Sequence, residues 1–172
     1  MTSGHLPPTV PISETHDVAS FDCGVPVLND WLQRRALAND RSGASRTYVL
    51  CLGTQVTGYY CLATGGVDHN VSPSQLRRNM PDPIPIVVLG RLAVDRRFQN
   101  QRLGRVLVRD AIVRAMQVAA IAGAVALVVH ALSDEARRFY LTSGFLEFPQ
   151  QPMTLYLMMR TARHVAPQTV PN

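Results

Sequence analysis

The stretch Leu89–Arg109, LGRLAVDRRFQNQRLGRVLVR, decides the fold. Its opening belongs to Ile86–Val94, a run apolar on nearly every side, which predicts a strand central in a sheet. The polar turn Asp95–Arg102 then leads into a helix from Leu103 to Ala122. Leu103, Val106, Leu107, Ala111, Val113 and Val118 are its apolar positions. Gly123 stops the helix, and Val125–His130 is a second near-continuous apolar run, hence a buried strand. Strand, helix and strand in this order predict a right-handed βαβ crossover with parallel strands, the mark of an α/β protein. The helix start matters chemically. Its first backbone N–H groups have no internal partner and converge on one spot, which makes an anion site. Arg97, Arg102 and Arg105 lie in or beside that turn, so the expected anion is a phosphate or pyrophosphate.

Upstream, the Pro-rich first ten residues read as extended or frayed. Phe21–Arg41 reads as holding a helix, with Pro26 in its first turn, Val27, Leu28, Trp31, Leu32 and Ala36 at helical spacing, and Ser42-Gly43 as its end. Thr47–Leu52 and Val56–Ala63, separated by Gly53-Thr54-Gln55, predict a β-hairpin. Gly65–Pro85 is polar and turn-rich, with one short helix expected around Ser74–Asn79; ordered loops of this length are often functional. Downstream, Ser133 caps a further helix with Asp134 and Glu135 in its first turn, where the helix dipole favours anions. That helix ends at Ser143-Gly144. Two antiparallel strands, Phe145–Phe148 and Thr154–Met159, close the pattern. The sequence thus predicts a single domain over residues 1–160 and a disordered tail over 161–172.

Composition narrows the class. The chain has 172 residues, 47% apolar and 17% charged, enough for a real core. Its longest apolar stretch, Val118–Val129, is well short of the about 20 residues a membrane span needs, and the N-terminus lacks the pattern of a signal peptide. A cytoplasmic protein is expected. Cys23, Cys51 and Cys61 show no metal or disulfide spacing and read as buried small hydrophobes; no metal is expected. Lysine is absent, all 17 basic residues are arginine and the net charge is +5. That excess fits an acidic partner such as nucleic acid, an acidic protein or a phosphorylated cofactor, and equally a codon bias toward arginine. Trp31 reads as core, and His130, ending a buried strand, as a hydrogen-bonded structural histidine. From the residues alone, Tyr140 is a half-buried helix tyrosine with its hydroxyl at the surface.

Gln99-Asn100-Gln101-Arg102-Leu103-Gly104, after a strand ending Leu92-Ala93-Val94, resembles the acyl-CoA signature Q/R-x-x-G-x-G/A of the GNAT superfamily of N-acetyltransferases. Ser133–Tyr140 followed by Ser143-Gly144-Phe145 looks like that fold's next helix with its "FY…GF" ending. The blocks FDCGVPVLNDWL, SRTYV, GYYCLATGGVDH, LRRNMPDPIP, RLAVD and VHALSDEARRFY are similar to the acetyltransferase toxins of bacterial type II toxin–antitoxin modules. The resemblance covers residues 20 to 160. It implies a GNAT fold: a central mixed sheet of about six to seven strands flanked by helices, with splayed parallel strands forming an acetyl-CoA cleft. One position departs from the signature. Arg102 stands where the first motif glycine allows close backbone approach to the pyrophosphate, and an arginine fits there with ordinary φ/ψ and a side chain swung aside or gripping a phosphate.

The resemblance also implies roles. Leu92, Ala93 and Val94 would line the pantetheine arm of acetyl-CoA, with a backbone N–H near Leu92 polarising the thioester carbonyl. Gln99, Asn100, Gln101, Arg102, Leu103, Gly104 and Arg105 would hold the pyrophosphate. Ser133 and Phe139 would add cofactor contacts, and Tyr140 would be the general acid for the departing thiolate. Arg77, Arg78 and Arg91 would contact tRNA phosphates. Its implied activity is acetylation of the α-amine of aminoacyl-tRNA, which blocks translation. The implied partners are a ribbon-helix-helix antitoxin, promoter DNA reached only through it, and a second copy in a homodimer. The low carboxylate count agrees with this acceptor, because an α-amine has a pKa of about 7.7–8.0 and needs little help from a base. Asp95 and Glu135 lie near the site in sequence and read equally well as a turn residue and a helix-start residue. Two other readings share the motif: a GNAT enzyme acting on a small amine or protein N-terminus, and a non-catalytic member of a repressor complex.

Overall fold

The computed structural model describes residues 7–165. Seven strands form one mixed sheet: β1 (Val10–Pro11), β2 (Arg46–Leu52), β3 (Gln55–Val67), β4 (Ile84–Val94), β5 (Ala126–His130), β6 (Leu146–Phe148) and β7 (Gln151–Met158). Their order is β1-β2-β3-β4-β5-β7-β6. The helices are α1 (Pro26–Arg34), α2 (Ala36–Ser42), α3 (Ser74–Arg77), α4 (Leu103–Ala122), α5 (Asp134–Thr142) and α6 (Met159–Val165). The strand–helix–strand order of β4, α4 and β5 and the parallel pairing are as the sequence predicts, with partners from Val87↔Leu127 to Leu89↔Val129. β5 and β6 each pair antiparallel with β7.

Two compact units divide the chain. Among the described residues, one takes 7–61 together with Arg91–Leu107, and the other takes Leu62–Gly90 together with 108–165. The first unit buries Phe21, Leu28, Trp31, Leu32 and Ala36 against Val49, Val56, Tyr59, Cys61 and Ala93. The second packs Leu76 of α3 with Ile84, Ile86, Ala126, Val128, Phe148, Tyr156 and Met158. Gly58 is required by close approach. A Cβ there would sit 2.9 Å from Leu107 Cδ1 and 3.3 Å from the Ala93 carbonyl oxygen.

Three features differ from the sequence reading. The helix expected within Phe21–Arg41 is two helices, broken at Arg35 (φ −120°). Arg35 falls where the stripe of Leu28, Trp31 and Leu32 would next turn inward. The break carries its guanidinium outward and sends Ala36 into the core, fully buried, while Val27 stays 55% exposed. Strand β3 continues past Ala63 through Gly65-Gly66, a pair that reads as a turn in isolation. Cβ atoms there would lie 2.9 Å from Val88 Cγ2 and 2.9 Å from Pro83 Cβ, so the missing side chains let the strand run on. Val10–Pro11, read as extended or frayed, is extended and pairs antiparallel with Val49 and Tyr48. Residues Thr161–Val165, the first part of the expected disordered tail, belong to α6, which buries Ala162 completely. The rest of that tail, residues 166–172, lies outside the described residues.

Candidate active site

The turn between β4 and α4 is built around one carboxylate. Asp95 caps a 3-10 turn over Arg96–Phe98, and its side chain is 1% exposed. Oδ1 accepts from the Arg97 backbone N–H at 2.9 Å and from Arg97 Nε at 2.9 Å. Oδ2 accepts from the Asp22 N–H at 3.0 Å and from Arg97 Nη2 at 3.0 Å. The Arg97 side chain, helped by those two backbone donors, holds this carboxyl at a pKa of about 2. Asp95 is therefore a turn residue and stays ionised at neutral pH, with no capacity to act as a base there. Around it the segment 20–24 is stitched to the turn. The Arg96 N–H donates to the Asp22 carbonyl at 2.8 Å, and Gln99 Nε2 donates to the carbonyls of Cys23 at 3.1 Å and Val94 at 2.9 Å.

Beyond Gln99 the backbone turns sharply into α4. Asn100 (φ 63°) and Arg102 (φ 64°) both take the left-handed conformation, and the helix begins with Val106 N–H donating to the Arg102 carbonyl at 3.3 Å. Arg102 thus holds the backbone shape of a glycine, not the ordinary φ that an arginine was expected to need. Steric cost is the reason such a conformation is rare, and a short turn forced between a strand and a helix is where it persists. Arg102 and Arg105 are exposed, while Leu103 is buried as the helix's first anchor. Exposed guanidinium groups beside unpaired helix-start N–H groups fit an anionic diphosphate. The Gln99 amide nitrogen is already committed to protein carbonyls, so its oxygen is the atom left for a ligand.

Strand β4 itself changes character along its length. Leu89 is buried; Gly90 is exposed, and Arg91, Leu92 and Val94 are half-buried, with Ala93 alone returning to the core. These residues extend past the last β4–β5 residue pair. Arg91 lays its guanidinium over the Trp31 ring, 4.7 Å from the centroid, and Trp31 stacks on Tyr59 at 5.9 Å. Arginine in an apolar strand is thereby explained by a cation–π contact, which sequence reasoning missed because the two residues lie far apart in the chain.

In the second unit, Ser133 Oγ caps α5 by accepting from the Ala136 N–H at 3.1 Å. Tyr140 is 5% exposed, more buried than the sequence reading expects, with Phe139 and Phe145 edge-on to its ring at 5.2 and 5.5 Å. Arg77 ends α3, Arg78 follows it in extended conformation, and both are exposed; Arg77 Nη1 reaches the Ser72 carbonyl at 3.4 Å. His130 Nδ1 lies 3.0 Å from Thr154 Oγ1, the hydrogen-bonded structural role expected of it. Cys23 and Cys61 are buried as expected, Cys51 at the edge of the core only partly, and burial raises the thiol pKa of Cys23 and Cys51. No group of metal-ligating side chains occurs among the described residues, and no helix among them is long and apolar enough to cross a membrane.

The Acetyltransferase (GNAT) family matches residues 13–145. The chain belongs to the GNAT family of acetyltransferases. It is 50% identical to a tRNA-acetylating toxin of Mycobacterium tuberculosis over 152 residues, covering 88% of this chain and 92% of that protein. Among solved structures, AtaT complexed with acetyl-methionyl-tRNAfMet superposes with a TM-score of 0.84 at 28% identity, covering 92% of this chain and 98% of that one. A mutant AtaT toxin bound to the C-terminus of its antitoxin AtaR and acetyl-CoA gives a TM-score of 0.80 at 29% identity, covering 94% of this chain and 98% of that one. As a GNAT enzyme the chain places its signature residues 99–104 on the turn just described, with left-handed backbone at two of them.

Proposed function

We propose that this chain is the toxin of a two-component toxin–antitoxin module, moving acetyl from acetyl-CoA to the α-amino group of an aminoacyl-tRNA and so blocking translation. The observation that carries the reading is the 50% identity, over 88% of the chain, to a toxin that acetylates tRNA. The left-handed turn and the exposed Arg102 and Arg105 support a diphosphate at residues 99–105. Leu92, Ala93 and Val94 lie along the pantetheine arm, where the Leu92 backbone N–H polarises the thioester carbonyl. Ser133 and Phe139 complete the cofactor contacts.

The acceptor amine, with a pKa of about 7.7–8.0, is substantially neutral at cellular pH and attacks the thioester carbon directly, losing its proton to water. As the C–S bond breaks, Tyr140 gives its phenolic proton to the departing CoA thiolate and recovers one from solvent. With Asp95 locked as a carboxylate at a pKa of about 2, no general base is assigned. Arg77, Arg78 and Arg91 contact tRNA phosphates. The toxin is a cytoplasmic homodimer, neutralised by a ribbon-helix-helix antitoxin through which it reaches promoter DNA.

The test is incubation of the protein with labelled acetyl-CoA and aminoacylated total tRNA at low and high salt. Label on the aminoacyl group, lost with Tyr140→Phe and reduced by salt, is the expected result. Acetyl-CoA binding without transfer to tRNA would point instead to a small amine or protein N-terminus, and no binding at all to a non-catalytic member of a repressor complex.

A further inference from the structure

We infer that Asp95 is a positioning residue for acetyl-CoA: it locks the segment 20–24 onto the β4–α4 turn and so fixes residues 99–105 in their anion-binding shape. The inference rests on the reading that acetyl-CoA binds that turn. Asp95 sits at the end of β4, while its partner Asp22 lies in a loop 73 residues away in sequence. One carboxylate takes four donors: two from backbone N–H groups and two from the Arg97 side chain. Its own N–H donates to the Thr57 carbonyl at 2.9 Å, which ties the turn to β3 as well. Further ties join the same two segments. Arg96 N–H meets the Asp22 carbonyl, Gln99 Nε2 meets the Cys23 carbonyl, and Arg97 Nη2 reaches the Ser20 carbonyl at 3.4 Å. The Arg96 guanidinium packs so closely over Gly24 that a Cβ there would lie 2.9 Å from Arg96 Nε.

The left-handed residues Asn100 and Arg102 follow directly on this anchor. Unfavourable backbone conformations persist only where their surroundings over-determine them. The anchor on the N-terminal side of the turn is the Asp95 cluster, and the start of α4 is the other. Aspartate is needed rather than its amide. An asparagine of the same shape presents one oxygen and one NH2, so its donor nitrogen would face either the Asp22 N–H and Arg97 Nη2 or the Arg97 N–H and Nε. Two donors facing a donor cannot be satisfied in a site this buried.

The experiment compares the full-length protein with Asp95→Asn and with Arg97→Ala, which removes the side-chain donors but leaves both backbone donors in place. Acetyl-CoA binding is measured calorimetrically, KM and kcat are measured with aminoacyl-tRNA as acceptor, and Tm is recorded for each. Misplacing binding groups by a fraction of an ångström should raise the acetyl-CoA Kd and KM about tenfold in Asp95→Asn. The effect of Arg97→Ala should be smaller, and kcat at saturating acetyl-CoA should stay within about twofold in both. A fall in Tm with unchanged Kd and KM would overturn the inference and leave Asp95 purely structural. A fall in kcat with unchanged KM would also overturn it, by placing Asp95 in the chemistry. If Asp95→Asn fails to fold, Arg97→Lys, which keeps the charge but not the paired donors to Asp95, decides alone, and an unchanged Kd there counts against the inference. Failure of the unaltered protein to bind acetyl-CoA would remove the ligand itself, an outcome distinct from every difference between variants.

Discussion

Replacing Arg102 tests whether the chain tolerates strain at the turn proposed to hold acetyl-CoA for the sake of a charge. The residue sits at φ 64° with an exposed side chain. Left-handed backbone costs a residue with a Cβ about 1–2 kcal/mol, a cost that glycine escapes. Glycine also loosens the unfolded chain, which returns about 0.4–1 kcal/mol. Comparing Arg102→Gly with Arg102→Ala isolates the backbone, since both lose the same guanidinium and only one keeps a Cβ. The glycine variant should be more stable than the alanine variant by up to about 1 kcal/mol, or about 2–4 °C in Tm for a chain of this size. Both should bind acetyl-CoA more weakly than the parent by about threefold to tenfold, the range for losing a partly exposed charged hydrogen bond. That loss should shrink as salt rises, because screening weakens the parent most. Urea melts with calorimetric titration at two salt concentrations read both quantities. An alanine variant as stable as the glycine variant or more so would refute the strain argument. Equal affinity in all three proteins would remove Arg102 from the phosphate contacts.

Acid should expose the Asp95 cluster. Its folded pKa of about 2 lies below the ordinary 3.8, so the carboxylate favours the native state fully above about pH 4 and ceases to as pH falls toward 2. The contribution, about 2 kcal/mol by linkage, should appear as a stability gap between the parent and Asp95→Asn that is wide at pH 6 and narrows toward pH 3 in urea melts. Gly58→Ala should lose about 1–3 kcal/mol because the new Cβ would press on Leu107 Cδ1 and the Ala93 carbonyl; a melt within 0.5 °C of the parent would show that the strands yield at no cost. Arg77→Ala and Arg78→Ala should each weaken tRNA binding and flatten the log-affinity against log-salt slope by about 0.7–0.9, measured by filter binding, whereas an unchanged slope would mark them as solvated surface charges.

The local part of the fold could be read from sequence because local patterns encode it. Ile86–Val94 and Val125–His130 are near-continuous apolar runs, Leu103–Ala122 carries apolar positions at helical spacing, and Ser133 carries the cap of α5 in its chemistry and position. What escaped depends on distant partners. Nothing near Arg91 announces Trp31, and nothing near Asp95 announces the Asp22 N–H that helps to bury it. The break at Arg35 follows from a charge arriving where the helix would otherwise turn inward, a conflict visible only when the core-facing side is known. Helix α6 contains good helix formers in Met159, Arg160, Ala162 and Arg163. Seven residues are too few for propensity to hold a helix, and the burial of Ala162 docks it. At the candidate site, the motif located the turn, but the backbone conformation that lets Arg102 stand in for glycine is a property of the folded chain.

The stacking of Arg91 on Trp31 gives the protein an internal optical gauge. Trp31 is the sole indole in the chain, and one face of it is shielded by a cation rather than by hydrocarbon. Any polyanion that draws that guanidinium away hands the ring's face to water. Emission from a single fluorophore would then shift to the red as nucleic acid arrives, with no dye attached. An acetyl-CoA titration that leaves the spectrum unmoved beside a tRNA titration that shifts it would separate the two proposed substrates by colour.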